Sequence, residues 1–236
     1  MSESMQRVEA VILRDARRDR RTVYVEVIVA IGLVALAPIS YGTWALLHPD
    51  ELLLNPAFVE WYIAAGTINS LVMIGLLWHL TQLRGETLRL FSGELRRCDL
   101  WWGPALAGFG IVSALLVLHV LRAGGWEDLP ASATAFVMHL SPMLLLRVLV
   151  NALYEELFFR GFLQVRLGQL GWRGTWIVGV SVLIQMSCHI WQGTAACLAL
   201  TPTFLLFAVF YQSTRRLSPV VLAHVMIGLF ALIANQ

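Results

Sequence analysis

The chain has 236 residues, of which 58% are hydrophobic and only 14% are charged. Soluble domains carry about a quarter charged residues, so this composition excludes a soluble globular enzyme, a disordered regulator and a disulfide-stapled secreted domain. A membrane-spanning helix needs about 20 residues, so the length accommodates about seven spans with short loops. The formal net charge of +2 adds little, because the placement of the charges matters more than their sum.

The apolar segments of the chain predict about seven transmembrane helices. An arginine-rich segment over residues 1–22 comes first. The apolar segments then cover 23–47, 57–83, 101–121, 134–153, 174–191, 195–213 and 217–234. We expect helices because lipid cannot satisfy the backbone polar groups of an open strand. The predicted fold class is therefore an all-α polytopic membrane helical bundle.

The distribution of arginines predicts the orientation of these helices. Arginine clusters precede the first span, separate the second from the third, and recur before the fifth and the seventh spans, whereas the alternate loops are poor in arginine. The positive-inside rule then places the N-terminus in the cytoplasm. We expect residues 1–22 to form a cytoplasmic segment and residues 23–125 to form the N-terminal transmembrane helices.

The few ionisable residues within apolar sequence mark a candidate functional site. From residue 129 onward the acidic residues are Glu155 and Glu156, and two of the following apolar spans contain His189 and His224. Charged groups are costly inside a bilayer and usually serve a function there. The sequence therefore predicts a site that combines two carboxylates and two imidazoles within the membrane.

Helix geometry predicts different roles for the two glutamates. Glu156 and Arg160 are four residues apart, so they share a helix face and can form an ion pair. Glu155 points about 100° away and has no basic residue one turn later. We expect it to face a cavity and to act as a general base or acid. A buried structural ion network formed by all three residues is the alternative interpretation.

A turn near residues 170–174 predicts that Glu155 and His189 face each other. Two antiparallel helices joined by this glycine-containing turn place residue 155 opposite residue 188 or 189, at the same depth. A carboxylate and an imidazole that converge in this way can polarise a water molecule between them.

The pattern Glu155-Glu156-x-x-x-Arg160, followed by two histidines on separate apolar spans, resembles the CAAX-protease and bacteriocin-processing (CPBP, or Abi) family of intramembrane endopeptidases. The resemblance covers about residues 130–234 and implies that residues 126–236 form a catalytic transmembrane core. It implies that Glu155 and His189 activate a water, that His224 helps to stabilise the oxyanion, and that Glu156 belongs to the same catalytic set with Arg160 in support.

The same resemblance implies hydrolysis of a peptide bond near the C-terminus of a membrane protein or peptide that carries a C-terminal tail. Related proteins suggest C-terminal processing or sorting of lipidated or membrane-anchored substrates, and a multi-pass location in the bacterial cytoplasmic (inner) membrane. The expected partners are this substrate and the lipid bilayer, with no nucleic acid and no required cofactor.

Two positions depart from the family pattern. The family usually has phenylalanine four residues before the first histidine, where this chain has Gln185, and asparagine four residues after the second histidine, where this chain has Gly228. Because one oxyanion donor is typically worth about 3 kcal/mol in the transition state, we expect a substitute donor. The candidates are Gln185, which is favoured, and Asn151, which lies one turn before Glu155.

Three other functions are compatible with these residues. A zinc-dependent membrane protease could use glutamate and histidine ligands, although the chain has no His-Glu-x-x-His motif. A cysteine protease could use Cys188 beside His189, although adjacent helical side chains point about 100° apart. A non-catalytic membrane scaffold or immunity protein built on a protease-like framework is the third, and Gly228 is the observation that favours it.

Overall fold

The computed structural model describes residues 3–47, 56–86, 94, 96–126 and 141–234. Every regular element in these ranges is helical. The predicted all-α bundle is therefore confirmed for the described part of the chain. Within the described ranges, three helices precede the region that contains the candidate site: α1 (Glu3–Leu47), α2 (Pro56–Leu83) and α3 (Asp99–Ala123).

The region with the candidate site begins with α4 (Pro142–Glu156), which continues without a break into a π-helical segment (Leu157–Gln164) and the short α5 (Val165–Gln169). The remaining elements are α6 (Gly174–Cys188), a 3-10 turn (Ile190–Gln192), α7 (Thr194–Thr214) and α8 (Ser218–Ala234). The predicted turn between α5 and α6 is present, and Gly171 in it has a φ of +84° that favours glycine.

Among the described residues, four helical segments are long and apolar enough to cross a bilayer, judged by length and composition. They lie within α1, α2, α3 and α7, at Asp19–Ser40, Ile63–Leu83, Asp99–Ala123 and Thr194–Thr214. Helices α6 and α8 are also apolar but shorter. These helices make the protein a multi-pass membrane protein.

Two predicted span boundaries were wrong. The fourth span was expected at 134–153, but its helix begins at Pro142, and residues 134–140 lie outside the described residues. Ser141 caps this helix by accepting a hydrogen bond from the backbone of Leu144, with proline in the first helical position. The helix continues past residue 153 because Glu155 and Glu156 contact polar side chains on other helices, which compensates the cost of burying them.

The fifth span was expected to continue to residue 191, but α6 ends at Cys188 and His189 is its C-terminal flanking residue. A 3-10 turn follows, and then Gly193 with a φ of +93°. The first candidate histidine therefore lies at the end of a helix, where the backbone changes direction, and not inside a regular span.

The π-helical segment forms the centre of the bundle. Its aromatic residues Phe158, Phe159 and Phe162 are at most 1% exposed and pack in one cluster with Val27 of α1 and Ile177 of α6. On the other side of the site, α3 packs closely against α7 and α8. Glycines permit this close contact.

A buried charge network joins α1 and the end of α2 to α5. The guanidinium of Arg166, which is fully buried, lies 3.2 Å from Glu26 and 2.8 Å from Glu86, and Arg84 contacts Glu26 at 3.0 Å. Burial alone would raise the pKa of Glu86, but the hydrogen bond and charge of Arg166, together with Gln169 and Arg84, outweigh it, so this pKa lies below its ordinary value. The network fixes the N-terminal helices against the helix that carries the candidate site.

Candidate active site

The two glutamates lie at the point where α4 changes from α-helical to π-helical geometry. Glu155 and Glu156 are its last α-helical residues, and Arg160 lies inside the π-helical segment. π-helical segments within α-helices occur frequently at functional sites. Both glutamates and Arg160 are buried, so they occupy the interior of the bundle together.

Glu156 is the centre of an ionic group of three side chains. Its Oε2 lies 3.1 Å from Nε of Arg160, and its Oε1 lies 2.7 Å from Nδ1 of His224 on α8. The predicted ion pair between Glu156 and Arg160 is confirmed, and both side chains have no exposed surface. The contact with His224 was not predicted and brings the last helix into the site.

Glu155 has partners of its own. Its Oε1 accepts a hydrogen bond of 2.6 Å from the side-chain amide of Asn151, and its Oε2 accepts one of 3.2 Å from the side-chain amide of Gln185. The same Oε2 lies 3.2 Å from Nε2 of His189. The predicted approach of Glu155 and His189 is confirmed. Glu155 has no basic residue one turn later on its own helix, and its polar partners are Asn151 of α4, Gln185 of α6 and His189 directly after α6.

Gln185 connects the two glutamate groups. Its side-chain oxygen accepts a hydrogen bond from Nη1 of Arg160, while its side-chain nitrogen donates to Glu155. An amide can do this because it carries an acceptor and two donors. Through Gln185 and Arg160, the four predicted catalytic side chains form one network of hydrogen bonds and ion pairs. The side-chain amides of Asn151 and Gln185 therefore both donate to Glu155. Their use as oxyanion donors stays a prediction.

Phe204 of α7 supports the network and was not predicted from the sequence. Its ring stacks on the imidazole of His189, with ring centroids 4.9 Å apart, and its backbone oxygen accepts a hydrogen bond of 3.1 Å from Nη2 of Arg160. The guanidinium also lies 5.8 Å from the centre of the Phe204 ring, within the range of a cation–π contact. A phenylalanine in an apolar span carries no sequence signal that separates this role from ordinary packing.

Some side chains of the site are partly exposed. The side chains of Glu155 and His189 are each 11% exposed, and that of His224 is 17% exposed, whereas those of Glu156 and Arg160 are inaccessible. Nδ1 of His189 is buried and has no hydrogen-bond partner among the residues that the structure describes. The three side chains expected to meet water and substrate are thus the ones that retain exposed surface.

Among the described residues, the geometry favours neither a metal site nor a reactive thiol. Among the described residues, no three His, Cys, Asp or Glu side chains come close enough together to hold a metal ion. The thiol of Cys188 packs against the hydrophobic core around the π-helical segment. Among the described residues no hydrogen bond joins it to His189, so the geometry does not favour a thiol activated by that imidazole.

Residues 137–230 match the family model described as Type II CAAX prenyl endopeptidase Rce1-like. These residues are therefore similar to the CPBP family. The match supports the resemblance predicted from the glutamate, arginine and histidine pattern, and it contains every side chain of the network described above. Neither the curated proteins nor the solved structures searched gave a match. The family match supports a peptidase as the kind of enzyme.

The departure from the CPBP pattern at Gly228 has a structural explanation. A Cβ atom built on Gly228 would lie 2.8 Å from Cγ1 of Val148, closer than real Cβ contacts. Helix α8 therefore approaches α4 through a bare glycine, and an asparagine at this position would not fit beside valine. In this chain, close packing of the two helices replaces the polar side chain.

We expect Gly228→Asn alone to destabilise the protein by about 1–3 kcal/mol, the usual cost of overpacking a well-packed contact. The double variant Gly228→Asn/Val148→Ala should recover most of this loss, because the shorter side chain makes room for the asparagine. Chemical denaturation of the purified protein in mild detergent would measure both. Equal destabilisation of the single and the double variant would show that Val148 is not the obstacle.

Proposed function

We propose that the protein is an intramembrane endopeptidase in which Glu155 and His189 activate a water that hydrolyses a peptide bond. The observation that carries the proposal is the 3.2 Å contact between the Glu155 carboxylate and Nε2 of His189. It lies within sequence that matches a CAAX endopeptidase family. When this contact opens to admit a water, the carboxylate and the imidazole can both bind it and share its protons.

The proposed reaction needs only water as co-reactant. Glu155 takes a proton from the bound water, and the oxygen adds to the carbonyl carbon of the scissile bond. The proton then passes to the leaving amine as the carbon–nitrogen bond breaks, which leaves a carboxylate on one product and an amine on the other. His189 and Glu155 exchange the protons that these steps require.

We assign stabilisation of the oxyanion to His224. Its Nδ1 is directed at Glu156, so a second proton on Nε2 gives an imidazolium whose N–H is free to donate. Glu156 and Arg160 act as positioning residues in this scheme. Asn151 and Gln185 each donate to Glu155 and hold its carboxylate in place. The second hydrogen of either amide is the candidate for the additional oxyanion donor.

The substrate that we propose is a membrane-associated protein or peptide with a C-terminal tail, cleaved near its C-terminus. The description of the matching family names a prenyl endopeptidase, which supports a lipid-anchored substrate. We place the enzyme in the bacterial cytoplasmic membrane, with the arginine-rich segment in the cytoplasm. The mechanism proposed for this chain does not require a metal ion, and chelation tests that point.

The test is a comparison of protein C-termini by mass spectrometry in membranes that contain the wild-type protein, Glu155→Gln or Glu94→Gln. Glu94 is exposed and lies outside the site, so its variant is a matched acid-to-amide control. We expect intact C-terminal tails of one or more membrane proteins to accumulate only with Glu155→Gln, at equal protein levels. No difference in any terminus would instead favour a non-catalytic scaffold. Loss of processing on chelation in the wild type would favour the zinc protease.

A further inference from the structure

One cation near the site has no role in the network described above. Arg147 lies on α4, two turns before Glu155, and is partly exposed. Its Nη1 donates a hydrogen bond of 2.9 Å to the hydroxyl of Ser70 on α2. No carboxylate lies within ion-pair distance of it among the described residues. A guanidinium has five donors, and among the described residues this one uses a single donor to a neutral partner.

The surroundings of Arg147 hold the guanidinium in a defined place. A Cβ atom built on Gly66 of α2 would lie 3.0 Å from Cζ of Arg147, so the cation rests against bare backbone. Ser70 is itself fixed by a hydrogen bond of 3.0 Å to the backbone oxygen of Gly66. An unpaired charge that is held this way within an apolar helix usually serves a function, because its desolvation is costly.

Arg147 lies along a line of polar side chains that leads to the site. Arg147, Asn151 and Glu155 follow one another at intervals of four residues, and each interval turns the side chain by about 40° around α4. All three are partly exposed or retain exposed surface. Val148, next to Arg147, contacts Gly228, so the line runs between α2 on one side and α8 on the other.

We infer that Arg147 binds the free C-terminal carboxylate of a peptide substrate whose scissile bond lies at Glu155. This inference rests on the proposed function, since it assigns the distal end of the same substrate. A carboxylate is the partner that a guanidinium fork binds best, with two parallel hydrogen bonds. Arg147 is thus a specificity-determining residue for substrates with a nearby C-terminus.

The test measures peptide binding separately from cleavage. The probe is a fluorescent peptide with a farnesylated cysteine followed by three aliphatic residues, prepared as a free acid and as a C-terminal amide. Both forms are titrated against the full chain in lipid nanodiscs, with Glu155→Gln as the background so that binding is measured without turnover. Because the farnesyl group is common to both peptides, the ratio of their affinities reports on the carboxylate alone.

We expect the acid to bind at least about tenfold more tightly than the amide, as a charged hydrogen-bonded pair requires. Adding Arg147→Gln or Arg147→Met should lower the ratio to about one by weakening the acid while the amide keeps its affinity. Arg147→Lys should give an intermediate ratio. The exposed Arg173 provides the control, and Arg173→Gln should retain the full ratio.

Several results would overturn the inference. These are the absence of peptide binding, no preference for the acid in the background protein, a preference that survives both Arg147 variants, and an equal loss of acid and amide binding. The last would indicate that Arg147 only packs against α2 or contacts lipid headgroups. Cleavage of both peptides at equal rates by protein with Glu155 intact would support the peptidase but not this role. An Arg147-dependent preference without any cleavage would support the carboxylate site and reject the peptidase.

Discussion

Replacing Glu155 by glutamine is expected to lower turnover of a cleaved substrate by at least about a hundredfold. General acid–base catalysis by one positioned group contributes about 10²–10⁴-fold, and a neutral amide cannot accept the proton of the water. His189→Ala should give a loss of similar size, because its Nε2 contacts the same carboxylate oxygen of Glu155. The measurement is kcat with the purified protein in lipid, on a peptide identified from the comparison of C-termini.

The double variant distinguishes catalysis from structural damage. If Glu155 and His189 act on one water, removing both should cost little more than removing either one, because residues that act as a unit are strongly non-additive. The control is Ser187→Ala, in the last turn of α6. The Ser187 hydroxyl donates a hydrogen bond to the backbone oxygen of Leu183 on the same helix. Independent, multiplicative losses at 155 and 189 would argue that the two side chains do not share a step.

Replacing Arg160 by leucine is expected to destabilise the protein by about 3–5 kcal/mol. The side chains of Arg160 and Glu156 have no exposed surface and form an ion pair of 3.1 Å. Removing one partner of a buried pair leaves the other charge without compensation, and this costs more than the pair contributes. The measurement is the free energy of unfolding of the purified protein in mild detergent.

A second variant separates loss of charge from loss of packing. Glu156→Gln/Arg160→Leu should be more stable than Arg160→Leu alone, because it also removes the buried carboxylate charge that has lost Arg160 and retains His224 as a partner. The exposed pair of Arg96 and Glu94 is the matched control: its atoms lie 3.9 Å apart with both side chains about 60% exposed, so Arg96→Leu should cost less than about 1 kcal/mol. Equal effects of Arg96→Leu and Arg160→Leu would contradict a buried ion pair that stabilises the fold.

Local spacing made part of the site predictable. The pair of Glu156 and Arg160 depends on one turn of a single helix, and the approach of His189 to Glu155 depends on one turn between two neighbouring helices. The contact of His224 with Glu156 joins residues 68 positions apart, and no periodicity in the sequence specifies it. Phe204 was missed for the same reason.

Only the tertiary structure shows what the two residues that depart from the family pattern contact. The sequence shows that Gln185 and Gly228 replace other residue types, but it contains nothing about what they touch. Gln185 accepts from Arg160 and donates to Glu155, which links two carboxylates that helix geometry had separated. Gly228 allows α8 to lie against Val148 of α4.

The sequence by itself indicated an all-α multi-pass membrane protein with a few ionisable residues in apolar spans, because apolar length and the scarcity of charge are local properties that lipid constrains strongly. Only the tertiary structure decided which polar groups neutralise each carboxylate and where the helices end. Those outcomes depend on contacts between distant residues, and in a low-dielectric interior such contacts decide whether a buried charge is stable.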